Sequence, residues 1–103
     1  MKIDLRTENI ELTERVREIV NEKLGKLGKK LLKFPSDVVL FTVLIKKRKH
    51  QTGQGLFRVS VRLEMPFGVL YAKENGYVLD EGVNKAVGSI DNQLEKVKTK
   101  LKG

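Results

Sequence analysis

Residues 57–65, Phe57-Arg58-Val59-Ser60-Val61-Arg62-Leu63-Glu64-Met65, alternate between apolar and polar side chains without a break. Successive side chains of a strand point to opposite faces, so this period of two predicts a strand with one face in a core and the other in water. The remaining sequence must then supply its neighbours and a cover for one face only. Ahead of it, Val38 to Lys46 is a β-branched and aromatic run, apolar on nearly both faces, as expected of a strand inside a sheet. After it, Pro66-Phe67-Gly68 reads as a turn and Val69 to Lys73 as a further strand. Near the N-terminus Lys2 to Arg6 alternates as well, with Ile3 and Leu5 on one side.

The cover comes from two segments with helical periodicity. Thr13 suits an N-cap and Glu14 the positive end of a helix dipole, and Val16, Ile19, Val20, Leu24, Leu27 and Leu31 then recur at helical spacing, which predicts a helix from about Glu14 to Leu32. Gly25 and Gly28 weaken it, and Pro35 ends it, because a residue before proline is pushed out of the α region. From about Val78 to the end, Leu79, Val83, Ala86, Val87, Ile90, Leu94, Val97 and Leu101 hold a second apolar stripe. The order is βαβββα, an α+β fold over a single domain, residues 1–103. A crossover through the first helix lays the first two strands parallel, and short loops make the last three antiparallel, giving a four-stranded mixed sheet. Two roughly parallel helices then cover one sheet face, with their C-terminal halves at the same end.

Composition narrows the function classes. Of 103 residues, 40% are hydrophobic and 33% charged, enough for one core under a charged surface. Lys and Arg number 21 against 13 acids, a net charge of +8, and a field of that sign gathers polyanions. The chain has no cysteine, which excludes disulfides, thiolate metal sites and cysteine nucleophiles and fits a reducing cytoplasm. Met1 to Arg6 has no apolar signal region, and no run approaches bilayer-spanning length, so neither export by that route nor a membrane partner is expected.

Where the charges lie points further. Lys23, Lys26, Lys30 and Lys33 follow one flank of the first helix with Lys29 nearby, while Glu14, Glu18 and Glu22 occupy the outer face of its earlier turns. Lys85, Ser89, Asn92, Lys96 and Lys100 trace a flank of the second helix, with Gln93 beside it. Both stripes reach the C-terminal halves that the topology brings to one end. Helix dipoles favour some lysines there, and long stems cover core edges. Two such stripes mixed with Asn, Gln and Ser nonetheless match a surface that tracks an RNA backbone. The cluster Lys46-Lys47-Arg48-Lys49 sits at the other end of the sheet, where a solvated hairpin tip and an RNA contact are equal readings.

Phe41 and Phe57 read as core, and Tyr71, Tyr77 and Phe67 as core or turn packing in preference to base stacking, so recognition is expected to rest on shape and phosphates. Catalytic constellations are poor. His50 is the lone histidine, in a loop with no serine or acid beside it, and Gly53-Gln54-Gly55 is not followed by a helix carrying Lys-Ser or Lys-Thr. Asp80 and Glu81 open a helix, where acids complement the dipole in preference to holding a metal. No cofactor, metal or enzyme activity is expected.

Asn9-Ile10-Glu11-Leu12-Thr13 followed by Val16-Arg17, then Val20, Lys23, Leu24, Lys26 and Leu27, with Pro66-Phe67-Gly68-Val69-Leu70 and Ile90, Asp91, Gln93, Leu94 and Lys96, occur in the order and spacing of a known family. Over nearly its whole length the chain resembles the ribosome hibernation-promoting factors, the ribosome-associated translation inhibitors also called sigma-54 modulation proteins. It departs from them at Val78-Leu79-Asp80-Glu81-Gly82-Val83, where the family commonly has an Asp-Met-Tyr-x-Ala-Ile type of segment, and at Asn92, where it usually has Arg. The resemblance implies binding to the 30S subunit and its 16S rRNA, in the channel of mRNA and tRNA at the decoding centre, as a basic plug that holds idle ribosomes inactive; the amphipathic patterns predict a monomer for the free chain. It implies a short form, without the C-terminal domain of long members. The alternative is a double-stranded or structured RNA-binding module of αβββα order with another RNA target, which lacks the first strand; an enzyme dependent on His50 is the third reading.

Overall fold

The computed structural model describes residues 2–32, 34, 38–48, 56–66 and 68–102, the side chains of 98–102 excepted. The expected order βαβββα is present: β1 (Lys2–Glu8), α1 (Glu14–Lys30), β2 (Leu40–Lys47), β3 (Phe57–Met65), β4 (Gly68–Gly76) and α2 (Leu79–Lys102). The strands lie in the order β1-β2-β3-β4. β1 runs parallel to β2, and β2, β3 and β4 are antiparallel neighbours, so the mixed sheet of the sequence reading is what forms.

Period two decides which side of the sheet is covered. Phe41 pairs with Leu63, Val43 with Val61 and Ile45 with Val59, and all six are buried. Ile3 and Leu5 continue these rows onto β1, and Leu70 and Ala72 onto β4. Onto this face α1 sets Val16, Ile19, Val20, Leu24 and Leu27, and α2 sets Val83, Ala86, Ile90 and Leu94. A fully buried side chain of this size contributes about 1.5–3 kcal/mol, so this interleaved layer supplies most of the favourable free energy. Among the described residues, no buried polar or charged side chain interrupts it.

Local chemistry sets the ends of the elements. The Thr13 hydroxyl accepts the Val16 N–H at 3.3 Å, the expected N-cap of α1. α1 stops at Lys30, two residues short of the expected Leu32, because the Leu31 N–H turns to the Gly28 carbonyl at 3.0 Å; Leu31 is buried and Leu32 is left 80% exposed. The helix is therefore closed by its own tightened last turn before Pro35, which lies outside the described residues. After β1, Asn9 takes a left-handed φ of 63°, which its short polar side chain tolerates, and its amide reaches the Lys47 carbonyl at 3.4 Å.

Three strands differ from expectation at their ends. β1 runs on to Glu8, through a full set of pairs with β2. β2 begins at Leu40, not Val38, and is not apolar-buried on both faces: Leu40, Thr42 and Leu44 are half-exposed on the open side. β4 continues to Gly76, beyond the expected Lys73, because Glu74, Asn75 and Gly76 complete the ladder with β3. At the other end of that hairpin Gly68 has a φ of 155°, which only glycine adopts readily, and it pairs with Met65; Phe67, read from the sequence as part of a turn, lies outside the described residues.

The helices sit differently on the sheet. α2 lies directly against β3 and β4. An added Cβ at Gly76 would stand 2.5 Å from the Gly82 nitrogen, and one at Gly82 2.9 Å from Val59 Cγ2. Gly76 is thus the residue that lets the first turn of α2 approach the end of β4, while Gly82 makes room for Val59 of β3. Among the described residues, no helix is long and apolar enough to cross a membrane.

Candidate nucleic-acid interface

The apolar stripe of α1 leaves its lysines on the flank and outer side: Lys26 and Lys29 are exposed, Lys23 and Lys30 half-buried. Glu14, Glu18 and Glu22 are exposed on the earlier turns, as expected. On α2, Lys85, Asn92 and Lys96 are exposed and Ser89 and Gln93 half-buried. Lys33 lies outside the described residues, and Lys100 belongs to α2 with its side chain outside the description.

The two stripes are not brought side by side as the sequence reading expects. What α2 turns toward α1 is the pair Asp91 and Glu95, and Lys30 reaches both: its Nζ donates to Asp91 Oδ1 at 2.5 Å and to Glu95 Oε1 at 2.7 Å. At 100° per residue, Lys85, Ser89 and Gln93 turn well away from that seam. Gln93 Nε2 instead donates to the Tyr71 carbonyl at 2.8 Å and to Ser89 Oγ at 3.3 Å, while Lys85 Nζ donates to the Asn75 carbonyl at 3.4 Å and pairs with Glu81 at 3.0 Å. The basic flank of α2 therefore borders the outer edge of β4. Carboxylates one turn apart on α2 separate it from α1, and the helical wheel without a partner surface could not reveal that they would meet Lys30.

Lys30 is consequently a clamp between the helices. The Asp91 hydrogen bond above all, then that of Glu95, raises its pKa above the ordinary 10.5, against a smaller lowering by burial. A cation whose folded pKa is raised stabilises the fold fully below the unfolded value of 10.5, and the contribution is lost as pH rises through the higher folded value. We expect the Lys30 Nζ resonance, followed by NMR through alkaline pH, to titrate above 10.5, with its midpoint falling in the double variant Asp91→Asn, Glu95→Gln. A midpoint that the double variant leaves in place would contradict the clamp.

The structure also places groups that the sequence reading assigned elsewhere. Tyr71 and Tyr77 are 52% and 58% exposed, so neither is a core aromatic. Tyr71 pairs across the strands with Arg62, and the alternation of residues 57–65, carried through the register, is the signal that would have set it on the open face. Arg58, Arg62 and Lys73 lie on that same face. His50, Gly53-Gln54-Gly55 and Lys49 fall outside the described residues. Among the described residues, no group of His, Cys, Asp and Glu is arranged to hold a metal ion.

The chain matches the family model described as sigma 54 modulation protein / S30EA ribosomal protein over residues 3–102. It is 32% identical over 92 residues to the ribosome hibernation promotion factor of Deinococcus radiodurans, covering 89% of this chain. It spans about half of that relative's length, 46%. Two solved structures share the fold: the N-terminal domain of protein Y of Thermus thermophilus, with a TM-score of 0.70 and 21% identity over 94% of this chain and 99% of that one; and a ribosomal subunit interface protein of Coxiella burnetii, with a TM-score of 0.74 and 16% identity over 96% and 99%.

Proposed function

This chain belongs to the sigma 54 modulation protein / S30EA ribosomal protein family, and we propose from that premise that it is a ribosome-associated hibernation factor of the cytoplasm. In this reading it acts as a monomeric basic plug on the 16S rRNA of the 30S subunit and occupies the channel of mRNA and tRNA. It blocks by occupancy, with no turnover and no cofactor, so His50 has no part in it.

The observation that carries the reading is the state of the flanking cations. Lys26, Lys29 and Lys96 are exposed, and none of them has an ion-pair partner among the described residues. Lysines left in this condition on a folded surface release counterions when they meet phosphates, which is where affinity for structured RNA originates. Lys23 extends the flank of α1 and Lys85 that of α2, with Asn92 and Gln93 as polar contacts, Lys30 supporting them from the clamp, and Lys100 included on its spacing along α2 alone. Lys33 follows α1 in sequence and is included on spacing alone.

The test is to add the purified chain to ribosomal subunits and sediment them. Co-sedimentation with 30S, lost on addition of tRNA, is the expected result. Binding that tRNA leaves untouched overturns channel occupancy, and failure to sediment with 30S overturns the assignment of the partner.

A further inference from the structure

Both helices cover one face of the sheet, and the register dictates what the other face displays. On its β1–β2 half the acids are matched one by one: Asp4 pairs with Arg6 at 3.3 Å and Glu8 with Lys46 at 3.4 Å. The β3–β4 half is different. Its three consecutive rows are Arg58 with Asn75, Ser60 with Lys73, and Arg62 with Tyr71, which place three cations, an aromatic ring and two neutral polar groups together without a carboxylate. On this face of the two strands the nearest acid is Glu64 in the next row, which pairs with Arg62 Nε at 3.2 Å, while Arg58 and Lys73 have no ion-pair partner among the described residues.

The spacing suits a flexible polyanion. Arg58 and Arg62 are four residues apart on one strand, about 13 Å, with Lys73 between them on a strand about 4.8 Å away. The Nε of Arg58 donates to Asn75 Oδ1 at 3.3 Å, which fixes one edge of the guanidinium and leaves further donors for phosphate oxygens. The Tyr71 ring, half exposed beside Arg62, presents a π-face to a base, and only an unpaired base can use it, because duplex bases stack on one another.

This strip also joins the helix surface. Gln93 and Lys85 of α2 are bonded to the carbonyls of Tyr71 and Asn75, the same β4 residues whose side chains lie in the strip. The basic flank of α2 thus passes over the β4 edge onto the open sheet face.

We propose that the β3–β4 half of the open face is a second RNA-contact surface, which takes an unpaired RNA segment with a base stacked on Tyr71 and phosphates at Arg58, Arg62 and Lys73. The choice of RNA over an acidic protein rests on the function proposed above and on this continuity with the flank of α2. A chain built this way grips structured RNA with its helices and a single strand with its sheet.

The test uses the intact chain with fluorescent oligouridine and, separately, a fully paired RNA duplex, and needs no ribosome, so it can fail or succeed independently of 30S binding. Tyr71→Ala is expected to weaken oligouridine binding roughly five- to a hundredfold, the range of one base stack, and to leave duplex binding unchanged. Tyr71→Phe keeps the ring and should bind as the parent does, which separates stacking from any loss of the hydroxyl. Because Gln93 holds the Tyr71 backbone carbonyl, neither change removes that bond. The double variant Arg58→Gln, Lys73→Gln should flatten the log-log salt dependence for oligouridine by about 1.4 units. The proposal is overturned if Tyr71→Ala binds oligouridine like the parent, if it weakens oligouridine and duplex alike, or if polyglutamate of equal charge displaces oligouridine as well as unlabelled oligouridine does, which would mark the face for an acidic protein.

Discussion

Replacing Lys26, Lys29 and Lys96 together by Glu is expected to weaken binding to the small ribosomal subunit by about a hundredfold or more at moderate salt, while the variant stays folded. A charge-assisted hydrogen bond contributes about 1.5–3 kcal/mol, and tenfold in affinity is about 1.4 kcal/mol, so even two contacts of the three reach that factor. The log-log salt slope should fall by about two units if all three meet phosphates. These side chains are exposed and stand outside the ion pairs of the described residues, so each substitution should change stability by about 0.5 kcal/mol or less. Lys30 is left out of the set deliberately, because its removal would uncover Asp91 and Glu95 and confuse lost structure with lost contact. The matching control is Glu14, Glu18 and Glu22 changed to Gln, which should leave binding equal or slightly tighter. If the triple variant is folded and binds with unchanged affinity and slope, the helix surface is not the contact, and the cluster from Lys46 to Lys49 takes its place.

The fold was legible because its signals are local and agree with one another. The alternation of Phe57 to Met65 set one covered face, and the stripes from Val16 to Leu31 and from Val83 to Leu94 supplied two covers of matching kind. Element ends were less legible, since they depend on single hydrogen bonds such as that of Leu31 to Gly28, or on a ladder that runs on through Asn75 and Gly76. The candidate surface was legible only as a list of cations. A helical wheel gives the direction of a side chain from its own axis and says nothing of what stands opposite, so Lys23, Lys26 and Lys30 looked equivalent although Lys30 alone among them meets two carboxylates from 61 and 65 residues away. The same limit hid Tyr71. Its place beside Arg62 follows from the β3–β4 register, and aromatic residues in a short strand more often line a core.

The second large effect is on stability, and it belongs to the glycine pair under α2. Gly76→Ala would set its Cβ 2.5 Å from the Gly82 nitrogen, 2.9 Å from the Gly82 Cα and 2.9 Å from the Val78 carbonyl oxygen. All three are backbone atoms, so no side-chain rotation relieves the clash, and the first turn of α2 must move off β4. Overpacking of this kind costs about 1–3 kcal/mol and occasionally more; at about 4–8 °C per kcal/mol for a domain of this size, the expected fall in Tm is roughly 4–24 °C. Gly82→Ala should cost less. Its Cβ meets the methyl of Val59 at 2.9 Å, a side-chain group with some freedom to yield, and alanine in a helix returns up to about 1 kcal/mol. Gly88→Ala, also in α2 but with nothing within 4 Å of its added Cβ, should raise Tm. The order Gly88→Ala above the parent, then Gly82→Ala, then Gly76→Ala, measured by thermal unfolding, is the expected result, and a Gly76→Ala variant as stable as the parent would refute the close approach. Since that approach brings Lys85 and Gln93 to the β4 carbonyls of Asn75 and Tyr71, Gly76→Ala should also separate the α2 flank from the open sheet face in whatever fraction of the chain stays folded.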